Sequence, residues 1–144
     1  MTTPPRILDA QITGPLLIDI AWSTGETLSV DLSDCVRPPF DLLADPAFFA
    51  RMKCDEWGHG LDWPDGLDLG ADTLYELCRR QAGLPTISDF NAWMARNGMT
   101  LTAAAETLGM TRRKISDYRT GSRPIPKVVG LACKAIDMEH SRIQ

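Results

Sequence analysis

Nothing in the 144 residues approaches the run of about eighteen apolar residues that a helix needs to cross a bilayer. The opening MTTPPRILD also lacks the basic and then apolar pattern of a secretory signal, so a cytoplasmic protein with no membrane partner is expected. Paired cysteines are missing as well. Cys35, Cys54, Cys78 and Cys133 stand far apart with no CxxC, which argues against disulfides and zinc and for buried thiols in a reducing compartment. There is no nucleophile elbow, no phosphate-cradling glycine loop and no dinucleotide fingerprint, so the motifs point to no enzyme and no cofactor.

What is present is an ordinary globular balance, 44% apolar and 24% charged, with room for one domain or two small ones. The net charge of −4 conceals a split: residues 1–84 hold fourteen acids and six bases, whereas residues 85–144 hold five acids and nine bases. A basic module of this kind suits a polyanion, because neutralising phosphates releases their counterions. The acidic half should point away from DNA or lie against the basic half when DNA is absent.

In the acidic half, residues 6–33 read as a three-stranded meander with alternating sets Leu8, Ala10, Ile12, then Leu16, Ile18, Ile20, Trp22, then Leu28, Val30, Leu32. Asp45-Pro46 opens a short helix. Lys53 to Trp57 and Leu61 to Trp63 are strand-like pieces that could extend the sheet. Thr73 and Glu76 form a capping box for a helix closed by Gly83. The stretch from Asp55 to Asp72 collects Asp55, Glu56, His59, Asp62, Asp65, Asp68 and Asp72, from which a cation site or an acid/base pair could be drawn. Its spacing matches neither an EF-hand nor a zinc pattern, and turn chemistry accounts for several of these acids, so no metal is expected. Gly83 to Thr86, with Pro85, reads as a stiff elbow between domains.

The basic half centres on TLTAAAETLGMTRRKISDYRTGSR, residues 100–123. Ser88 caps a preceding helix with Phe90, Trp93 and Met94 inward. Thr100 then caps a helix from Leu101 to Leu108, Gly109 stops it, Thr111 caps a second from Arg112 to about Thr120, and Gly121 stops that one. Ala104 and Ala105 permit close approach, and Leu108, Ile115 and Tyr118 share the inward side. The outward side carries Arg112, Arg113, Lys114, Asp117 and Arg119. A last helix from about Pro126 shows Val128, Leu131, Ala132, Ala135 and Ile136 at intervals of three and four. Such a helix pair can place its second member in a DNA major groove, guanidiniums pairing with guanine edges and flanking cations with phosphates.

On Thr100, Ala105, Gly109, Thr111, Ile115, Gly121 and Pro124, residues 87–138 resemble the phage-repressor-like, XRE-type helix-turn-helix family. The resemblance implies a bundle of four or five helices with Thr111 to Thr120 as recognition helix. It also implies base contacts from Arg112, Arg113 and Asp117 and backbone contacts from Thr100, Thr102 and the Arg119 to Arg123 corner. Arg119 stands where many members have a glutamate, so a structural hydrogen bond is lost or replaced. Residues 6–80 resemble a small bacterial α+β family known only as a domain of unknown function, on Val30 to Ser33 and Trp63 to Leu69, with Gly25-Glu26 departing from its turn.

The expected fold is therefore α+β: a small antiparallel-sheet domain with short helices over residues 1–84, then an all-α, lambda-repressor-like helix-turn-helix bundle over 85–144. The expected function is a sequence-specific transcriptional regulator, dimeric on double-stranded DNA. Its acidic domain would bind a ligand, a partner or another copy. The DNA-binding set is Thr100, Thr102, Thr111, Arg112, Arg113, Lys114, Asp117, Arg119 and Arg123. One alternative is an antitoxin-like or adaptor protein that contacts a toxin-like partner through the acidic domain. The other is a metal-dependent enzyme using the acids between Asp55 and Asp72.

Overall fold

A computed structural model of the chain describes residues 4–143; the outermost residues of the two expected segments lie outside the described residues. The chain divides into two compact units, Pro5–Ala82 and a second beginning at Gly83. The first is mixed α+β and the second is helical.

The first unit opens with an antiparallel sheet of β1 (Ile7–Gly14), β2 (Leu17–Trp22) and β3 (Thr27–Asp31) in that order. Ile18, Ile20, Trp22 and Val30 fill its inner face, as strand alternation requires. The outer strand departs from the simple pattern. Ile7 pairs with Trp22 and Asp9 with Ala21, so the register slips at Leu8. The slip turns Ile7 inward at 4% exposure and leaves Leu8 at 66%. Ala10 and Ile12 do oppose Ile20 and Ile18, but at an edge where Ile12 stays 37% exposed. Leu16, expected on a strand, lies in the β1–β2 turn at φ 60, because Pro15 takes the preceding turn position and leaves the left-handed one to leucine.

The pieces expected to extend this sheet instead form a second one, β4 (Lys53–Cys54), β5 (Gly60–Asp62) and β6 (Asp68–Gly70). Gly58 O accepts a hydrogen bond from Ile7 N at 2.9 Å, and this joins the β4–β5 loop to β1. Gly58 has φ +74, and a Cβ there would lie 2.3 Å from Ile7 O, so only glycine fits. Before the second sheet comes α1 (Pro46–Phe49), capped by the Asp45 carboxylate on Ala47 N; its Phe49 stacks on Trp63.

Helix α2 (Ala71–Gln81) packs on both sheets. The Thr73–Glu76 capping box does not form. Ala71 N already donates to His59 O, so the helix begins three residues earlier with Gly70 as cap, and Asp72 accepts from Thr73 N. At the buried side of α2, Arg79 donates to Glu26 Oε2 at 2.8 Å, while Tyr75 OH and Thr24 Oγ1 donate to Glu26 Oε1. Burial together with the carboxylate pushes the Tyr75 hydroxyl well above its ordinary pKa. At the C-terminus of the helix, the Gln81 amide accepts from Asp31 N and donates to Asp31 O, as a neighbouring strand residue would.

The second unit holds α3 (Ile87–Arg96), α4 (Leu101–Leu108), α5 (Arg112–Thr120) and α6 (Lys127–Ile143). Thr86 caps α3, accepting from Asp89 N, in place of the expected Ser88. Phe90, Trp93, Ile115, Tyr118, Ile125 and Val129 form the centre of its core. Of the apolar set expected along helix α6, Ile136 packs against the core, but Val128 and Leu131 are 68% and 55% exposed and Val129 and Cys133 are buried instead. Gly130 fits this face because a Cβ would meet the Pro85 ring at 2.6 Å. Arg96 and Asn97 hold α6 through Asp137, and the Arg96 hydrogen bond keeps that carboxyl below its usual pKa range.

The four cysteines are free, with Cys78 and Cys133 buried and their thiols pushed up to about 11 by burial, whereas Cys54 is exposed and Cys35 half-buried. No helix of the described residues is long and apolar enough to cross a membrane.

Two substitutions check this account of the first unit. In thermal or urea unfolding, Gly58→Ala is expected to cost several times the roughly 1 kcal/mol lost by Gly66→Ala, which has φ +73 but open space for a methyl. Glu26→Ala, which takes the carboxylate from a guanidinium only 3% exposed, is expected to lower stability by about 3 kcal/mol.

Candidate nucleic-acid interface

The candidate interface is the end of α5. Thr100 Oγ1 accepts from Ala103 N at 3.1 Å and starts α4. Gly109, at φ 67, lets Met110 N return to Ala105 O at 2.8 Å and ends it. Thr111 Oγ1 accepts from Lys114 N at 3.2 Å and starts α5, which Gly121 closes at φ 84. With both ends fixed and only Gly109 to Thr111 between the helices, their angle is set by the turn and by buried Ala104 and Ala105.

Ile115 and Tyr118 anchor α5 from below, at 0% and 1% exposure. Tyr118 meets Phe90 edge to face with ring centroids 5.7 Å apart, and burial raises the pKa of its hydroxyl. At 100° per residue the opposite face then carries Arg112, Arg113, Ser116, Asp117 and Thr120. Arg112 and Arg113 are exposed and have no ion-pair partner among the described residues. Lys114 lies half-buried on the flank.

Of the remaining residues of the expected DNA-binding set, all but Thr102 are engaged within the protein. Asp117 forms an ion pair with Arg123 Nε at 3.6 Å, and its carbonyl accepts from Arg123 N. Arg119 leaves the outward face for α3: its Nε donates to Asn91 Oδ1 at 2.9 Å while Asn91 Nδ2 donates to Arg119 O at 3.0 Å. That exchange ties α5 to α3. Thr100 and Thr111 are occupied as caps, and Thr102 is exposed on α4. Ser116, one turn on from Arg112, shares the cationic face and is missed by reading charges alone; stepping by three and four from the two arginines finds it.

The acids between Asp55 and Asp72 do not form a comparable site. Asp55 accepts from Trp57 N and His59 N, bonds that lower its pKa, and Asp65 occupies a left-handed turn position at φ 66. Among the described residues no three histidine, cysteine, aspartate or glutamate side chains gather as a metal would need.

The fold and this surface define a mixed α+β protein in which antiparallel sheets precede a helical unit with one cationic helix end. The chain belongs to the DUF2442 family, described as proteins of unknown function, whose model matches residues 8–80. It is similar to a crystal structure of the "Putative DNA Binding Protein NE0471 from Nitrosomonas europaea ATCC 19718". The identity is 38%, over 92% of this chain and 86% of that one, with a TM-score of 0.77. Comparison with curated proteins finds no match.

The family match overturns assignment to the XRE-type family. It falls on the sheet-bearing part of the chain, and the residues behind the XRE resemblance are two threonine caps, two glycine stops, the close-packed Ala105, the buried Ile115 and Pro124. Any two short helices joined by a tight turn need these, so they do not identify a lineage.

Thr111→Ala is expected to destabilise the helical unit by about 1 kcal/mol, whereas Thr111→Ser, which keeps the capping hydroxyl, should unfold close to the wild type. Thermal unfolding followed by circular dichroism would distinguish the two.

Proposed function

We propose that this chain binds double-stranded DNA through the outward face of α5 and acts as a sequence-specific regulator of transcription. The observation that carries the proposal is the pair of exposed, unpaired guanidiniums of Arg112 and Arg113 on a helix capped at both ends. A guanidinium fork matches the two acceptors of a guanine edge, and a fixed helix delivers it without first having to order a loop. The excess of bases in residues 85–144 supplies the field that attracts phosphates. The description of the N. europaea protein as a putative DNA-binding protein, at 38% identity across nearly the whole chain, supports the same reading. On this reading Arg112 and Arg113 read bases with Ser116 beside them. Lys114 and Thr102 contact phosphates, and Arg119 and Arg123 position α5 through Asn91 and Asp117. The first unit, with its excess of acids, serves as an interaction or sensing domain.

Selection of bound DNA from a random pool, followed by titration across salt concentrations, tests this. Arg112→Ala and Arg113→Ala are each expected to cost roughly 1–3 kcal/mol on the selected site and to relax preference at one base pair. Lys114→Ala should weaken all sequences about equally and reduce the salt slope by about one. Absence of binding even at low salt would refute the proposal.

A further inference from the structure

Helix α6 is apolar on two sides. One side, Val129 and Cys133, closes the core of the helical unit. The other carries Val128, Leu131, Ala135 and Met138, and the three large side chains on it are 68%, 55% and 64% exposed. Single apolar residues on a surface need no explanation, but four spaced by three, four and three form a continuous stripe along one helix face. That is the seam spacing of a two-stranded coiled coil, with Val128 and Ala135 at one type of seam position and Leu131 and Met138 at the other.

We propose that this stripe joins two copies of the chain, α6 lying parallel to α6 of a second copy and in register with it. Charge selects both the occupant and the direction. Lys134 immediately precedes Ala135 and Glu139 immediately follows Met138, so the two exposed charges flank the seam on opposite sides. In a parallel pair each residue before the seam faces the residue five positions later on the other helix, which sets Lys134 against Glu139 of the second copy, twice by symmetry. An antiparallel pair would set Lys134 beside Lys134. A β-branched valine at the first seam position and leucine at the second also favour two parallel strands. Arg142, one turn beyond Met138, ends the apolar seam.

The contact is small. Four side chains per copy fall short of the roughly 1,200 Å² in total that stable complexes bury, so the pair forms at high concentration, or once something else brings two copies together. Two copies on one DNA would be brought together in that way. The pairing itself does not depend on the DNA proposal, and its test uses no DNA, so either can fail alone.

Sedimentation velocity of the full chain at concentrations up to about 1 mM should show a reversible monomer–dimer equilibrium. Leu131→Lys should weaken it at least about tenfold while leaving thermal unfolding unchanged, because the side chain it replaces already faces water. Lys134→Glu and Glu139→Lys should each weaken dimerisation, and the double variant should restore it. A chain that stays monomeric throughout, or a dimer indifferent to Leu131→Lys, would overturn the proposal and leave the stripe to a different partner. Failure of the double variant to recover would overturn the parallel register.

Discussion

A helix of nine residues bearing four cations does not hold its shape in water alone, because nucleation is costly and neighbouring like charges repel. Everything that α5 can do therefore depends on Ile115 and Tyr118 being buried beneath it. Burying two such side chains stabilises by about 2 kcal/mol each, and the caps at Thr111 and Gly121 satisfy backbone groups that water would otherwise compete for. The alanines of α4 are the other half of the constraint: larger side chains at 104 and 105 would push α5 off the core and free its ends. A rigid cationic surface is thus a consequence of packing on its far side.

The first unit uses charge in the opposite way. Arg79 and Glu26 are paired inside the fold, with Tyr75 and Thr24 on the remaining carboxylate oxygen, so that a buried ion pair fixes α2 across the β2–β3 turn. Such a pair is weak evidence of stability, since desolvation offsets much of its attraction. What it restricts is geometry, because a shift of α2 would separate the partners without offering either of them water.

The parts of this structure that are legible in the chain are those written locally. Thr100, Gly109, Thr111 and Gly121 announce helix ends because capping involves residues three or four apart. Ile115 and Tyr118 announce the inner face of α5 for the same reason. The bulge at Leu8 is not legible, since the backbone beside it bonds to Gly58, some fifty positions away. The inward face of α6 is ambiguous by periodicity, because two apolar stripes share one helix and long-range contacts such as Pro85 against Gly130 and Asp137 against Arg96 and Asn97 favour one of them. For the candidate site, the helix and its cations are readable, but the diversion of Arg119 to Asn91 and of Arg123 to Asp117 is not. A basic residue looks the same in sequence whether it faces solvent or a neighbour.

The bidentate grip of Gln81 on Asp31 has a bearing on the open margin of the first sheet. An open sheet offers an unsatisfied margin to any stray extended peptide, and β3 would be such a margin. The glutamine amide fills that slot with a counterfeit peptide group, so accretion from this side must first dislodge it. On the far margin the irregularity at Leu8 spoils the even ladder an incoming strand would need. Cross-β growth is thereby discouraged at both borders without proline and without extra lysines.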